Sequence, residues 1–191
     1  IARLSGGIFG RALLWARDPD LAAHWNRGVE MAATVRRSSL LAMLEKVAEE
    51  RERLEGTAAH EDDNDLEVYI KAMDKRGGEQ LRKRWEKSKK REAMKARRQA
   101  AIDLFDGMSS FYRDIMLLNL TEEEEGKASS GALLLNREWM EELEREALHI
   151  GTEESMRRME ALQRARRALE ANVDIGLLLD SLVLELKDVT E

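Results

Sequence analysis

The sequence predicts an all-α protein, a helical bundle that carries a long, charged helical hairpin. The 191 residues include one Pro and 37% charged side chains, a composition that favours helices over sheets. Apolar residues recur three and four positions apart in most segments, which is the spacing of one helix face. No alternation of apolar and polar residues continues for the length of a strand.

Composition and charge exclude several classes of function. The chain has no Cys, which excludes disulfides, zinc knuckles and thiol catalysis. Its net charge of −6 argues against an obligate nucleic-acid-binding protein, although local basic patches must be judged separately. No run of ~18 apolar residues occurs and no signal peptide opens the chain, so we expect a cytoplasmic protein without a membrane partner. The sequence starts at Ile1, inside a helical pattern, and we expect a fragment or a trimmed chain.

The first segment is a glycine-rich turn that leads into a short helix. Backbone N–H groups at residues 6–10 could hold a phosphate at the start of that helix. No Lys-Ser or Lys-Thr pair follows and no strand precedes the turn, so a turn with a packing helix is the favoured interpretation. Asp18 and Pro19 then predict the start of a helix, which should extend to about Val35.

A second long helix should begin after Ser38 or Ser39, which can accept hydrogen bonds from its first N–H groups. Its apolar pattern fades beyond Ala48, which predicts a helix that leaves the body of the domain. The acidic loop that follows, residues 56–65, lacks the ligand spacing of a calcium-binding EF-hand. We therefore expect a solvated loop and no metal site. A short helix, residues 66–73, should then end at the next Gly-Gly pair.

Two successive segments of opposite charge predict the charged helical hairpin. Residues 45–67 contain 10 acidic and three basic side chains, a local charge of −7. Residues 75–98 contain 12 Lys or Arg and three Glu, a local charge of +9. Because the two arms attract each other, we expect an antiparallel hairpin inserted at about residues 49–98.

The basic arm has an alternative interpretation, which is contact with nucleic-acid phosphates. Only Trp85 is interleaved with the basic residues, so a platform that stacks single-stranded bases is poorly supported. We favour pairing within the hairpin, and both interpretations hold if only one side of the arm is paired. The candidate nucleic-acid contacts are Arg82, Lys83, Arg84, Lys87, Lys89 and Lys90.

Residues 100–120 predict the central helix of the domain, continuous with the basic arm. Apolar side chains cover much of its circumference, which is typical of a helix packed on several sides. Its main face should consist of Leu104, Met108, Phe111, Ile115 and Leu118. Arg113 and Asp114 lie next to Tyr112, but adjacent residues on a helix point in different directions. Since no companion nucleophile is evident, we expect packing here and no catalytic residue.

The last third of the chain predicts three more helices. Residues 133–150 should form one, with Asn136 as its N-cap, and Thr152 should cap the next. Asn172 and Asp174 should then form a tight turn and the N-cap of the last helix.

The last helix is strongly apolar. Its main stripe recurs at helical spacing over Ile175, Leu178, Leu179, Leu182, Val183 and Leu186. Leu177 and Leu184 widen this stripe beyond a single face. We therefore expect apolar partners on more than one side of the helix.

Three segments carry a resemblance to a known family. One is Phe111-Tyr112-Arg113-Asp114 with the apolar residues that follow it, and another is Leu169-Glu170-Ala171-Asn172-Val173 before the Leu-rich last helix. The third, residues 4–13, is similar to the turn and helix that carry sensor 2 in AAA+ clamp-loader subunits. Together they resemble the delta-prime subunits of bacterial DNA polymerase III clamp loaders. ATP-hydrolysing subunits have Arg where this chain has Gly10, and delta-prime subunits are not expected to hydrolyse ATP.

The resemblance implies a collar domain, the helical oligomerisation module of a clamp loader, over residues 18–191. Residues 1–17 would be the end of an AAA+ lid domain. It also implies assembly with the gamma/tau and delta subunits, and indirect contact with the sliding clamp and primer–template DNA through the assembled loader. Such a subunit is a structural part of a DNA-directed DNA polymerase holoenzyme, so this chain should hold no catalytic, cofactor or metal site.

Apolar and aromatic side chains of the resembling segments are the candidates for a subunit interface. They are Tyr112, Ile115, Leu177, Leu178, Leu182 and Leu184. Two alternatives remain open. One is a helical protein that binds nucleic acid through residues 75–98, and the other is a helical adaptor or scaffold built on the charged hairpin.

Overall fold

The computed structural model describes residues 12, 13, 15, 16, 19–56, 75–122 and 133–188. Over these ranges the chain forms six α-helices and no strand, which confirms the all-α class; residues 12, 13, 15 and 16 are also helical. The six helices are α1 (Pro19–Val35), α2 (Leu40–Gly56), α3 (Lys75–Glu122), α4 (Met140–Ala147), α5 (Thr152–Glu170) and α6 (Ile175–Asp188). A 3-10 helix, Arg137–Trp139, precedes α4, so the single helix predicted over residues 133–150 is divided. None of the described helices is both long and apolar enough to span a membrane.

Helix α3 is the centre of the fold. It has 48 residues, a length of about 70 Å at 1.5 Å per residue, and its second half packs against α1, α4 and α5. The predicted main face of this half is buried, with Leu118 partly buried beside it. The predicted continuity with the basic arm is confirmed. The Gly-Gly pair at residues 77 and 78 lies inside the first turns of α3. The short helix predicted over residues 66–73 lies outside the described residues.

Helices α1 and α3 cross at two glycines. A Cβ added to Gly28 would lie 2.0 Å from the Leu104 carbonyl oxygen, and one added to Gly107 would lie 2.2 Å from the Trp25 carbonyl oxygen. The two backbones therefore approach too closely for any side chain at either position. The Trp25 ring also packs edge-to-face on Trp15, with 5.5 Å between centroids, so Trp15 contacts the body across the predicted domain boundary.

Helix α2 stays in the body along its whole length, and the prediction that it leaves the body is wrong. Leu54, near its end, is 1% exposed. Glu50 is also buried and accepts a hydrogen bond from Arg27 of α1 at 3.1 Å. Arg51 pairs with Asp180 of α6 at 2.7 Å. Ion pairs thus join the charged half of α2 to its neighbours, and a count of apolar residues cannot detect them.

Two predicted helix N-caps are confirmed. The Ser39 hydroxyl accepts a hydrogen bond from the N–H of Ala42 at 3.2 Å. The Asp174 carboxylate accepts one from the N–H of Leu177 at 3.0 Å. Asn172 has a φ of 63°, the left-handed conformation that often follows a helix C-terminus, so the predicted tight turn between α5 and α6 is also present.

Two other N-cap predictions are wrong. Asn136 makes no capping hydrogen bond; its side-chain amide donates to Ser110 at 3.0 Å and to Asp114 at 2.9 Å. Thr152 is the first residue of α5, and the N-cap is Gly151, which has no side chain to donate or accept. Tertiary hydrogen bonds thus replace the local cap at Asn136, whereas α5 begins without a side-chain capping hydrogen bond.

Candidate interaction surfaces

Helix α6 presents one face to the core and another to solvent. Its predicted main stripe is the core face, where four residues are buried and Ile175 and Leu178 are partly buried. The four buried residues are Leu179, Leu182, Val183 and Leu186. Leu177 is 67% exposed and Leu184 is 42% exposed. They lie seven positions apart, about two helical turns, so they share one side of α6. We call this pair the outer leucines.

Polar contacts fix the rotation of α6 about its axis. At its C-terminal end the ammonium of Lys187 donates to the carbonyl oxygen of Ser38 at 2.6 Å. On the side of α5, Arg164 pairs with Glu185. Asp180, in the first half of α6, pairs with Arg51 of α2. Together these contacts hold the outer leucines toward solvent.

The structure corrects the interface prediction for three candidates. Tyr112 and Ile115 are 0% exposed and Leu182 is 2% exposed, so all three belong to the core of this chain. A partner could reach them only if helices separated. Leu178 is partly buried against the same core. Of the six candidates, Leu177 and Leu184 are therefore the ones available to a partner.

Tyr112 joins α3 to α5 inside the core. Its hydroxyl accepts a hydrogen bond from Arg158 at 3.2 Å, and the guanidinium carbon lies 5.2 Å from the ring centroid. Arg158 is itself buried and pairs with Glu154 at 2.6 Å. Burial raises the pKa of Tyr112, and the nearby charge of Arg158 opposes the rise. The residue is thus a neutral member of a buried polar group.

A second buried polar group surrounds Asp114. Its carboxylate accepts hydrogen bonds from the N–H groups of Leu135 at 3.0 Å and Asn136 at 2.8 Å. Arg113 donates to it at 2.9 Å, so these adjacent residues meet although they were expected to point apart. Burial raises the pKa of Asp114, and the hydrogen bonds from Asn136 and Leu135 oppose the rise. The group holds the segment before α4 against α3.

The first half of α3 carries the basic residues outside the core. No residue from 79 to 99 is buried. Five of the six candidate nucleic-acid contacts are exposed, namely Arg82, Lys83, Arg84, Lys87 and Lys90. The sixth, Lys89, is half-buried, and its ammonium lies 5.7 Å from the centroid of the Trp85 ring.

The acidic and basic segments meet near the end of α2. There Arg97 donates to the carbonyl oxygen of Glu55 at 3.2 Å. The buried carboxylate of Glu50 pairs with Arg27 at 3.1 Å and with Arg53 at 2.5 Å. Both partners of this carboxylate thus belong to α1 and α2, which are helices of the body. Pairing of the basic arm with the rest of the acidic segment, residues 57–67, stays a prediction, because those residues lie outside the described ranges.

A cleft of about 500 Å³ lies beside this junction, between α2, α3 and the turn that joins α5 to α6. Arg97 and Arg98 line it together with Glu55 and Asp174, so its charges are mixed. Its apolar lining includes Leu54, Met94, Leu169 and Val173. Sequence reasoning missed this cleft because its walls come from α2, α3 and the junction of α5 with α6, which lie far apart in the sequence.

Two further predictions concern small ligands. Within the described ranges, no three His, Asp or Glu side chains come together in a group that could hold a metal ion. The glycine-rich turn with Gly10 and the acidic loop at residues 57–65 lie outside those ranges.

No known protein family, curated protein or solved structure matches this chain. Over the described residues the fold defines the class of the protein, an all-α helical bundle, and two of its exposed surfaces are candidates for interaction. One is the pair of outer leucines on α6, and the other is the basic first half of α3.

Proposed function

We propose that this chain is the helical collar of a clamp-loader subunit of the delta-prime type, a non-catalytic part that joins neighbouring subunits. The observation that carries the proposal is the exposure of Leu177 and Leu184 on α6. This helix belongs to the segment that resembles the family, and its opposite face is already buried. Exposed apolar side chains on a helix held in a fixed rotation are suited to burial between subunits.

In such an assembly the collar acts through its architecture. It would hold the ATPase modules of neighbouring subunits in an open spiral, so that ATP binding by those modules is converted into opening of the sliding clamp. The continuous core that links α1 to α6 suits this role, because a close-packed bundle transmits position with little deformation. The proposed partners are the gamma/tau and delta subunits, with the clamp and primer–template DNA contacted through the loader.

A mixing experiment tests the proposal. The 191-residue chain is combined with the collar domains of gamma/tau and delta, and the mixture is separated by gel filtration. We expect a complex that contains all the components. Elution of this chain alone, while the other collar domains assemble, would contradict the proposal.

Leu182→Asp does not test this interface. Leu182 is 2% exposed, and a carboxylate in the core would carry a large desolvation cost. The variant is expected to unfold, so its failure to assemble would report on folding alone. The outer leucines are the positions at which the interface can be tested without unfolding the bundle.

A further inference from the structure

Five basic residues of the arm form a stripe on one face of α3. Arg76, Lys83, Lys87, Lys90 and Arg91 follow one another seven, four, three and one positions apart. At 3.6 residues per turn this spacing keeps them within about 100° of the helix circumference. All five are exposed. We call them the basic stripe, which is about 22 Å long at 1.5 Å per residue.

The side chains of the basic stripe are available to a partner. Among the residues that the structure describes, none of the five has a side-chain hydrogen bond or salt bridge. By helical spacing, Glu79 and Glu86 border the stripe on one edge, while Arg84 and Lys95 border it on the other. The acidic and basic borders offset each other, so the stripe keeps its positive charge.

The opposite face of the same helix has a different character. Leu81, Trp85, Lys89 and Ala93 are half-buried at a spacing of four residues, and Lys89 is engaged with the Trp85 ring. Arg82 lies beside these residues on the helix. Two of the six predicted nucleic-acid contacts, Arg82 and Lys89, therefore lie on the face away from the stripe.

We propose that the basic stripe binds the phosphate backbone of double-stranded DNA directly. This inference goes beyond the proposed collar function, in which DNA is reached only through the assembled loader, and does not rest on it. The stripe lies on α3 and the outer leucines lie on α6, so each surface can be altered separately.

The chemistry of the stripe favours a duplex over other polyanions. Double-stranded DNA has one negative charge per about 1.7 Å of its axis, so a straight row of cations on a rigid helix meets phosphates along its length. Single strands are bound through aromatic stacking, and Trp85 lies on the other face. An anionic membrane requires apolar side chains among the cations, and the stripe has none between residues 76 and 91.

Within the part of the chain that the structure describes, the acidic side chains of the body do not oppose this contact. Lys83 is 17 residues before Ala100, where the buried core begins on α3, a distance of about 25 Å along the helix. At physiological ionic strength the Debye length is about 8 Å. The acidic side chains of the body are therefore screened from the middle of the stripe.

Binding of the duplex by the basic stripe should depend steeply on salt concentration. Five phosphate contacts predict a slope of about −4.5 for the logarithm of the binding constant against the logarithm of salt concentration. Binding should thus weaken about 500-fold between about 50 and 200 mM salt. The measurement is the fluorescence anisotropy of a labelled duplex of about 20 base pairs, long enough to span the stripe, titrated with the 191-residue chain.

Two matched double variants locate the contact. K83Q/K87Q removes two charges from the stripe and should change the slope to about −2.7. R82Q/K89Q removes the same charge from the other face and should keep the slope at about −4.5. Circular dichroism is the control for folding. K83Q/K87Q should remain helical because Lys83 and Lys87 are exposed, and R82Q/K89Q should remain helical because neither Arg82 nor Lys89 is in the buried core.

Three results would overturn the proposal. The first is the absence of duplex binding at about 50 mM salt, where phosphate contacts are strong. The second is an equal change of slope in both double variants, which would indicate net charge and not the stripe. The third is displacement of the duplex by polyglutamate at equal charge concentration, which would assign the stripe to an acidic protein.

Discussion

Buried charged residues join distant parts of this chain. Glu146 is 0% exposed and accepts hydrogen bonds from Arg36, 110 positions earlier, at 2.8 and 3.3 Å. Arg158 is buried between Tyr112 and Glu154 in the same manner. Removing one member of such a pair leaves a buried charge without compensation, which typically costs about 3–5 kcal/mol. Single residues of this kind define which helices are neighbours.

The raised pKa of Tyr112 should make the stability of the chain depend on pH in the alkaline range. Burial raises this pKa above the ordinary value of 10.0, so the folded chain keeps this proton at a pH where the unfolded chain has lost it. The contribution of this pKa difference to the free energy of unfolding is fully present below about pH 10. It decreases as pH rises further, by up to ~1.4 kcal/mol per pH unit. Phe has no proton to lose. Between about pH 10 and pH 11.5 the free energy of unfolding of Tyr112→Phe, measured by urea denaturation, should therefore decrease less than that of the unaltered chain.

The slope with pH is the informative quantity in that comparison. Tyr112→Phe also removes a hydrogen bond with Arg158, so its stability at neutral pH should be lower by about 1 kcal/mol. Identical slopes for the two proteins would contradict the burial of the Tyr112 hydroxyl.

Among the elements, the crossing of α1 and α3 depends on close backbone contact. A methyl group on Gly107 would lie 2.2 Å from the carbonyl oxygen of Trp25, so Gly107→Ala must push the helices apart. We expect a loss of about 1–3 kcal/mol in the free energy of unfolding, the usual cost of overpacking, measured by urea denaturation. Gly56→Ala is the control, because nothing lies within 4 Å of its added Cβ. A Gly107→Ala protein as stable as the control would show that the crossing is wider than described.

The helices themselves could be predicted from the sequence to a large extent. Pro19 and Val35 are both ends of α1 as predicted, and α3 continues without a break from the basic arm into the core. These elements have a strong local signal, a start residue or a sustained period of 3.6. Asn136 shows the limit, because a tertiary hydrogen bond to Asp114 replaces the local cap that its residue type suggests.

The two sides of α6 show what periodicity cannot distinguish. Leu182 and Leu184 are the same residue type on one apolar helix, yet the first is 2% exposed and the second 42%. A wide apolar stripe indicates only that more than one side of the helix is apolar. The rotation of the helix about its axis determines which of these sides packs against the core. That rotation is fixed by Lys187 and Arg51, whose partners lie far away in the sequence. The sequence therefore predicted the helix that carries the candidate interface. Only the structure identifies Leu177 and Leu184 as its accessible residues.

At the scale of the whole molecule, the two candidate surfaces are separate. The outer leucines lie on the helix that closes the bundle, whereas the basic stripe lies on the half of α3 outside the core. One surface is apolar and suited to a protein partner, and the other is cationic and suited to a polyanion. Loss of either contact should leave the other intact.

The most direct measurement of the central claim is gel filtration of L177D/L184D with the gamma/tau and delta collar domains. Both leucines are exposed, so this variant should fold, and the two carboxylates should prevent burial of α6 between subunits. The control is L148D/M156D, at positions that are 78% and 49% exposed. We predict that the control elutes with its partners and that L177D/L184D elutes alone. Assembly of L177D/L184D to the same extent as the unaltered chain would contradict the assignment of α6 as the subunit interface.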